Sequence, residues 1–142
     1  MESSLMIALD VNAMPWEERY KEELGRTLYR KLLLQDPDTG MEIRLLRYPA
    51  GVNIPWHTHP CAHGMYVIEG TLVTQDGSHG PGSFVWFPEG MAMSHGASAE
   101  GDVTMLFITN KPLAINYLPA SCTFLGQGFK FGDYRRQQLH HN

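Results

Sequence analysis

Polar and apolar positions change rhythm near residue 29. Upstream, residues 11–23 carry the densest charge in the chain, but Pro15 and the lack of a sustained 3.6-residue apolar stripe predict no more than one or two helical turns. Residues 1–28 are therefore read as an N-terminal arm belonging to the same domain. From residue 29 the pattern becomes short runs rich in β-branched and aromatic residues, separated by turn residues. The first two runs, 29–34 and 41–48, flank a turn containing Asp36, Pro37 and Gly40, and Met41, Ile43 and Leu45 alternate with Glu42 and Arg44. That predicts a hairpin. Further runs occupy 63–68, 71–74, 83–87, 103–109 and 113–117, with Gly70, Asp76, Gly77, Pro81, Gly82, Pro88, Gly90 and Pro112 at the breaks. Seven or more short strands at regular spacing, with no long helices between them, predict an all-β sandwich or barrel of the jelly-roll kind over residues 29–118. Residues 119–142 form a C-terminal extension, whose part from 129 onward loses alternation and reads as a short helix or a frayed end.

Composition narrows the class. A chain of 142 residues favours one domain and one core. Its 14 glycines and 9 prolines suit a turn-rich β-domain. A net charge of -4 offers no footprint for nucleic acid or anionic lipid. The longest apolar runs, such as residues 5–9, are too short to span a membrane, and the first residues lack the basic region of a secretory signal. The expectation is a cytoplasmic protein without nucleic-acid or membrane partners. Cys61 and Cys122 are the only cysteines, and in a reducing compartment both are expected as free thiols.

The candidate chemistry lies in the histidines. Five of the 7 fall between residues 57 and 95, and three of these, His57, His59 and His63, lie within nine residues. Residues i and i+2 of an extended chain share a face, so His57 and His59 present adjacent imidazoles suited to neighbouring positions on one metal ion. His63 opens the next strand and reaches the same place if that strand returns beside the first; His95 has to arrive from another hairpin. A lone histidine is more often a hydrogen-bonded core or surface residue, but this grouping points to metal. Met65, Phe84, Trp86, Met93, Met105 and Phe107 flank the histidine phrases and are candidates for an apolar substrate pocket, although plain core is the simpler reading of each. Glu69 shares the parity of His63 and is a possible acceptor for a ligand N–H, against the simpler reading of a solvated strand end. Cys61 is expected to pack rather than to ligate. Glu89, His79, His140 and His141 are expected at the surface. Phosphate-loop, nucleophile-elbow and dinucleotide signatures are absent from the sequence.

Gly51, His57, His59, His63 and Gly70, at their spacing, resemble the first cupin motif, and Gly82, Pro88, Gly90 and His95 resemble the second. Two departures stand out. His95 follows Gly90 by five residues, where the usual histidine follows by three, and His63 stands where most cupins carry glutamate. The resemblance spans about residues 29–118 and implies a double-stranded β-helix, the jelly-roll or cupin barrel, with one divalent metal held by His57, His59, His63 and His95. Met14, Pro15 and Trp16 together with Lys31, Leu32 and Leu33 resemble small cupins related to dihydroxyacetophenone dioxygenase and the cupin domains of zinc-binding anti-sigma factors.

Three or four neutral imidazoles leave a divalent ion its full charge, which favours an anionic ligand such as an enolate. Fe(II) is the first choice of metal and Zn(II) the second. The leading expectation is a dioxygenase that uses O2 to cleave a carbon–carbon bond in an enolisable carbonyl or phenolic small molecule. A zinc sensor or ligand-binding module without turnover, and a metal-assisted isomerase or lyase, are the alternatives. Only neutral imidazole ligates, so metal occupancy is expected to fall as pH drops through about 6.5. Exposed strand edges and the apolar run at residues 5–9 also predict a homodimer.

Overall fold

Strand alternation builds two antiparallel sheets. The computed structural model describes residues 5–119. A 3-10 turn at Val11–Ala13 leads into β1 (Glu17–Lys21), β2 (Arg26–Gln35), β3 (Glu42–Tyr48), β4 (Asn53–Thr58), β5 (His63–Glu69), β6 (Leu72–Thr74), β7 (Gly77–His79), β8 (Phe84–Phe87), β9 (Met93–Ala97), β10 (Val103–Thr109) and β11 (Asn116–Tyr117). One sheet has the order β1-β2-β3-β10-β5-β8 and the other β11-β4-β9-β6-β7. This is the all-β jelly roll expected from the run spacing. Among the described residues, no helix is long and apolar enough to cross a membrane. The extension from residue 120 onward, including Cys122, His140, His141 and the expected terminal helix or frayed end, lies outside the described residues.

The core lies between the sheets. In β10, Val103, Met105, Phe107 and Thr109 are buried while the residues between them are partly exposed. On β5, Met65 and Val67 meet them from the next strand. The β2–β3 hairpin forms as expected: the Asp36 carboxylate caps the Asp38 N–H at 2.9 Å, and Gly40, at φ 76°, donates to the Asp36 carbonyl at 2.8 Å. Gly70 turns the chain at φ 78°, where a Cβ would run into the Asp102 backbone.

The N-terminal region differs from its expected helical turns. Glu17–Lys21 pairs along its whole length with β2. Its alternating charges make poor core but a serviceable edge strand, since charge at a sheet edge discourages further pairing. Pairing with the long β2 therefore overrides local preference. Ahead of it, the chain is fastened to the outer face of the six-stranded sheet. Lys31 Nζ donates to the Val11 carbonyl at 2.8 Å and lies 4.6 Å from the Trp16 ring centre.

Candidate metal centre

Four imidazoles converge between the sheets. His57 lies in β4 and His59 just beyond it, His63 opens β5, and His95 sits in the middle of β9. β4 is irregular between Ile54 and His57, where it pairs with β9. Pro55 occupies that irregularity, as expected for a residue without a ladder N–H. Beyond the strand, Gly90 N–H donates to the His59 carbonyl at 3.0 Å, and Ala62 exchanges two hydrogen bonds with Asn110. These contacts hold the short turn between β4 and β5 and so fix His59 relative to His63.

Hydrogen bonding defines two of the tautomers. His57 Nδ1 lies 2.6 Å from the Pro55 carbonyl, and His59 Nδ1 lies 2.6 Å from the Ala114 carbonyl. A carbonyl only accepts, so each Nδ1 carries the proton and each Nε2 keeps a lone pair. His57, His59 and His95 each offer one ring nitrogen, all within 4.8 Å of one another. His63 is not part of this triplet, but its ring packs edge-on to His59 at 4.9 Å and stacks on Phe87 at 4.8 Å. His57 Nε2 and both ring nitrogens of His63 and His95 are buried without a hydrogen-bond partner. Buried polar atoms are rarely left so, and a divalent ion held by one nitrogen of each of His57, His59 and His95 would occupy the lone pairs that these rings turn toward one another. The donor set fits a transition metal that favours imidazole.

Burial lowers the basicity of all four rings. Together with neighbouring imidazoles it pushes the His57 pKa down to about 4, against the opposing hydrogen bond to Pro55, and that of His63 to about 3. His59 moves the same way, and burial holds His95 well below the ordinary value. The rings are therefore neutral at pH 7 and ready to ligate without losing a proton.

An open cavity of about 240 Å³ adjoins the cluster, reached by His57, His59 and His95. Leu28, Leu46, Ile54, Met65, Phe107 and Leu113 form its apolar wall, and Tyr48 and Tyr117 also line it. Tyr48 stacks on His95 with centroids 5.9 Å apart. Burial raises both phenol pKa values, so both hydroxyls stay protonated. Arg19, Lys21, Arg30 and Arg44 line the cavity as well, Arg30 paired with Glu17 and Arg44 with Glu42, and among the described residues no carboxylate lines it.

Several expected pocket residues lie elsewhere. Met65 and Phe107 line the cavity, whereas Met93 and Met105 are wholly buried core residues that do not line it. Phe84 and Trp86 are 60% and 52% exposed. Opposite them across the ladder stand Tyr66 and Gly64 on the outer face, where both rings cover Gly64, while Val85 and Phe87 take the inward positions. Strand parity thus puts Phe84 and Trp86 outside. Glu69 is exposed and borders a groove on the outer face of the six-stranded sheet, because β5 shifts register against β10 near Thr104 and the alternation from His63 is lost. Glu89 is exposed and paired with Lys111 at 2.7 Å. Cys61 is buried as a free thiol, and His79 is half-buried beside the Thr74 hydroxyl at 2.9 Å.

Tyr48, Tyr117 and Arg44 line the cavity without standing out in the sequence. The alternation of Glu42, Arg44, Leu46 and Tyr48 was the available signal for two of them. It was hidden because Ile43 and Leu45 are the more apolar set.

The family model described as the ChrR cupin-like domain matches residues 4–114. The chain belongs to this family. A crystal structure of an RmlC-like cupin protein from Ralstonia eutropha is similar at 26% identity and TM-score 0.70, covering 84% of this chain and 76% of that one. The polyketide cyclase RemF from Streptomyces resistomycificus shares the fold at 19% identity and TM-score 0.65, over 81% of this chain and 87% of that one. A chain from the Rhodobacter sphaeroides complex of SigE with the anti-sigma ChrR shares it at 20% identity and TM-score 0.57, over 70% of this chain and 51% of that one. No curated protein matches the chain in sequence. Within this ChrR cupin-like domain, the histidine cluster and its cavity lie between the two sheets.

Proposed function

We propose that this ChrR cupin-like protein is a non-haem Fe(II) dioxygenase that cleaves a carbon–carbon bond in an enolisable carbonyl or phenolic small molecule. The observation that carries the reading is the meeting of three neutral imidazoles with a cavity whose described lining is largely apolar and includes Arg19 and Lys21. His57, His59 and His95 would hold the ion, with His63 completing the set. A bound iron would supply Lewis acidity toward an enolate or phenolate oxygen and the redox capacity to use O2.

The chain's own residues supply the rest. Met65, Phe107 and Leu46 keep water from the reacting carbons. The protonated Tyr48 and Tyr117 hydroxyls are donors for an oxyanion. Exposed Arg19 and half-buried Lys21, on the β1 side, attract an anionic substrate.

After anaerobic Fe(II) loading, oxygen uptake with β-diketones and hydroxyaryl ketones tests the proposal. One O2 is expected per molecule cleaved, with both oxygen atoms in the two products. Turnover without O2 consumption would replace the dioxygenase with an isomerase or lyase. Tightly retained zinc with no turnover would favour a zinc sensor or ligand-binding module without turnover.

We also propose a homodimer. Leu5, Met6 and Ile7 are exposed in the single chain, as are Tyr66, Phe84 and Trp86 around the β8 edge. Apolar surface of this kind marks an interface. Sedimentation at micromolar concentration is expected to give a dimer that Met6→Asp with Trp86→Asp converts to monomer. A monomeric wild type refutes it.

A further inference from the structure

The clustered imidazoles are not all held in the same way. His57 and His59 are each oriented through Nδ1 by a carbonyl, from Pro55 and Ala114, whereas both ring nitrogens of His95 lack a hydrogen-bond partner. The His95 ring therefore takes its place from its strand and from stacking on Tyr48. That strand is entered by a long route, since His95 follows Gly90 by five residues, two more than in the usual cupin motif. Gly90 N–H is fixed on the His59 carbonyl and Met91 N–H on the Pro88 carbonyl at 3.2 Å. Residues 92–94 are left to bring His95 into register.

Those residues lie beyond the end of their neighbour. The ladder between β9 and β6 stops where Thr74 stands opposite His95, because Gln75 and Asp76 turn the chain into β7. Alternate residues of β9 address different strands: Ala97 N–H donates to Val52, ahead of β4, and Ser98 N–H to Thr71, ahead of β6. By that parity the main-chain groups of Ala92 and Ser94 point where β6 would have continued. The Gln75 side chain fills the gap. Its Nε2 donates to the Ala92 carbonyl at 3.4 Å, and its Oε1 accepts from Ser94 N–H at 3.2 Å. A carbonyl only accepts and an N–H only donates, so this orientation of the amide is the one that satisfies both. From the other side, Ser94 Oγ donates to the Ile54 carbonyl at 3.3 Å, where the β4–β9 ladder is irregular.

We propose that Gln75 is a positioning residue for the metal centre: its amide replaces the two main-chain groups that a longer β6 would present opposite Met93, and so sets where His95 meets His57 and His59. It touches neither ion nor substrate and acts through His95. The inference rests on the three-histidine centre and not on the dioxygenase reaction. Each hydrogen bond contributes only modestly to folding. A slip in the residue before a ligand, however, moves that ligand off the point shared by the others, and loss of a supporting partner typically costs about 10–100-fold in metal affinity.

Chelator competition for Co(II) tests the role, with circular dichroism to confirm the fold. Gln75→Met, which keeps the length and removes both polar atoms, is expected to weaken Co(II) binding about tenfold. In a His95→Ala background the same change is expected to alter the residual affinity by less than about twofold, because residues that act through one another are not additive. His79→Ala, which frees the Thr74 hydroxyl in the same hairpin and leaves the Gln75 amide alone, is expected to bind as wild type does. Should Gln75→Met fail to fold, Gln75→Asn retains an amide one methylene too short to reach β9 and is expected to show the same loss. Wild-type affinity in the folded variant, an equal loss with His95 absent, or an equal loss in His79→Ala overturns the proposal. A wild type that binds no Co(II) removes the centre and this role with it, whereas a lack of oxygen uptake strikes the reaction alone.

Discussion

Replacing His57 with alanine is expected to reduce bound metal from about one ion per chain to below about a tenth, and to abolish turnover with it, because losing a direct ligand exceeds the roughly 10–100-fold cost typical of losing an outer partner. His57 is the most central of the four. It is fully buried, its Nδ1 is tied to Pro55, and its ring lies 4.8 Å from His59 and 4.9 Å from His95. Metal analysis of protein purified without a nickel column, with circular dichroism to confirm the fold, makes the measurement. Full occupancy in the folded variant would remove His57 from the centre. His63→Glu, measured beside it, is expected to keep the ion but alter the Co(II) spectrum if, as proposed, His63 completes the set. An unchanged spectrum would leave a three-histidine set.

Acid should destabilise the metal-free protein by an amount comparable with its whole folding free energy. An unfolded histidine takes up a proton near pH 6.5, whereas burial delays protonation of His57 to about 4 and of His63 to about 3. Between those limits the unfolded chain binds more protons than the native one, so stability falls as pH falls. The contribution of neutral burial is complete above about pH 6.5 and is lost on the way to the folded values. Each of these two rings accounts for roughly 3 kcal/mol by pH 4, against a usual total of about 5–15 kcal/mol. Urea unfolding of chelator-treated protein is expected to show a plateau from pH 8 to about 6.5, then a steep loss and unfolding before about pH 4. Stability that stays flat to pH 4.5 would mean that the rings titrate as exposed histidines. This also changes the expectation that metal leaves as pH crosses about 6.5. In the folded site the imidazoles are still neutral there, so occupancy should persist below that value and be lost together with the fold.

Much of the architecture could be read from local order. The β2–β3 hairpin follows from Asp36, Gly40 and the runs on either side, because a turn and its flanking strands are set by residues close in sequence. The pairing of His57 with His59 is of the same kind, since positions i and i+2 around one extended segment present neighbouring rings. β4 and β9 carry a proline and a glycine within short segments that lack apolar alternation, so the strands bearing His57 and His95 gave little propensity signal. Only their spacing to Gly51, Gly70, Gly82 and Gly90 marked them.

The choice of inward face belongs to tertiary structure. Alternation states that Arg44 shares a side with Glu42 and Tyr48, and Trp86 with Phe84, but it is silent on which side meets the second sheet. In β3 the more apolar set, Ile43 and Leu45, turns away from the cavity, with Leu45 bordering the groove next to Val11 and Trp16, while Arg44 and Tyr48 turn toward the histidines. In β8 the aromatics Phe84 and Trp86 lie outside, and Val85 and Phe87 point inward. The local pattern thus specified strands, turns and a histidine pair. Packing of the two sheets decided which residues those histidines meet, because Arg44 finds its partner in Glu42 on the inward side while Leu45 is covered by the arm at Val11 and Trp16.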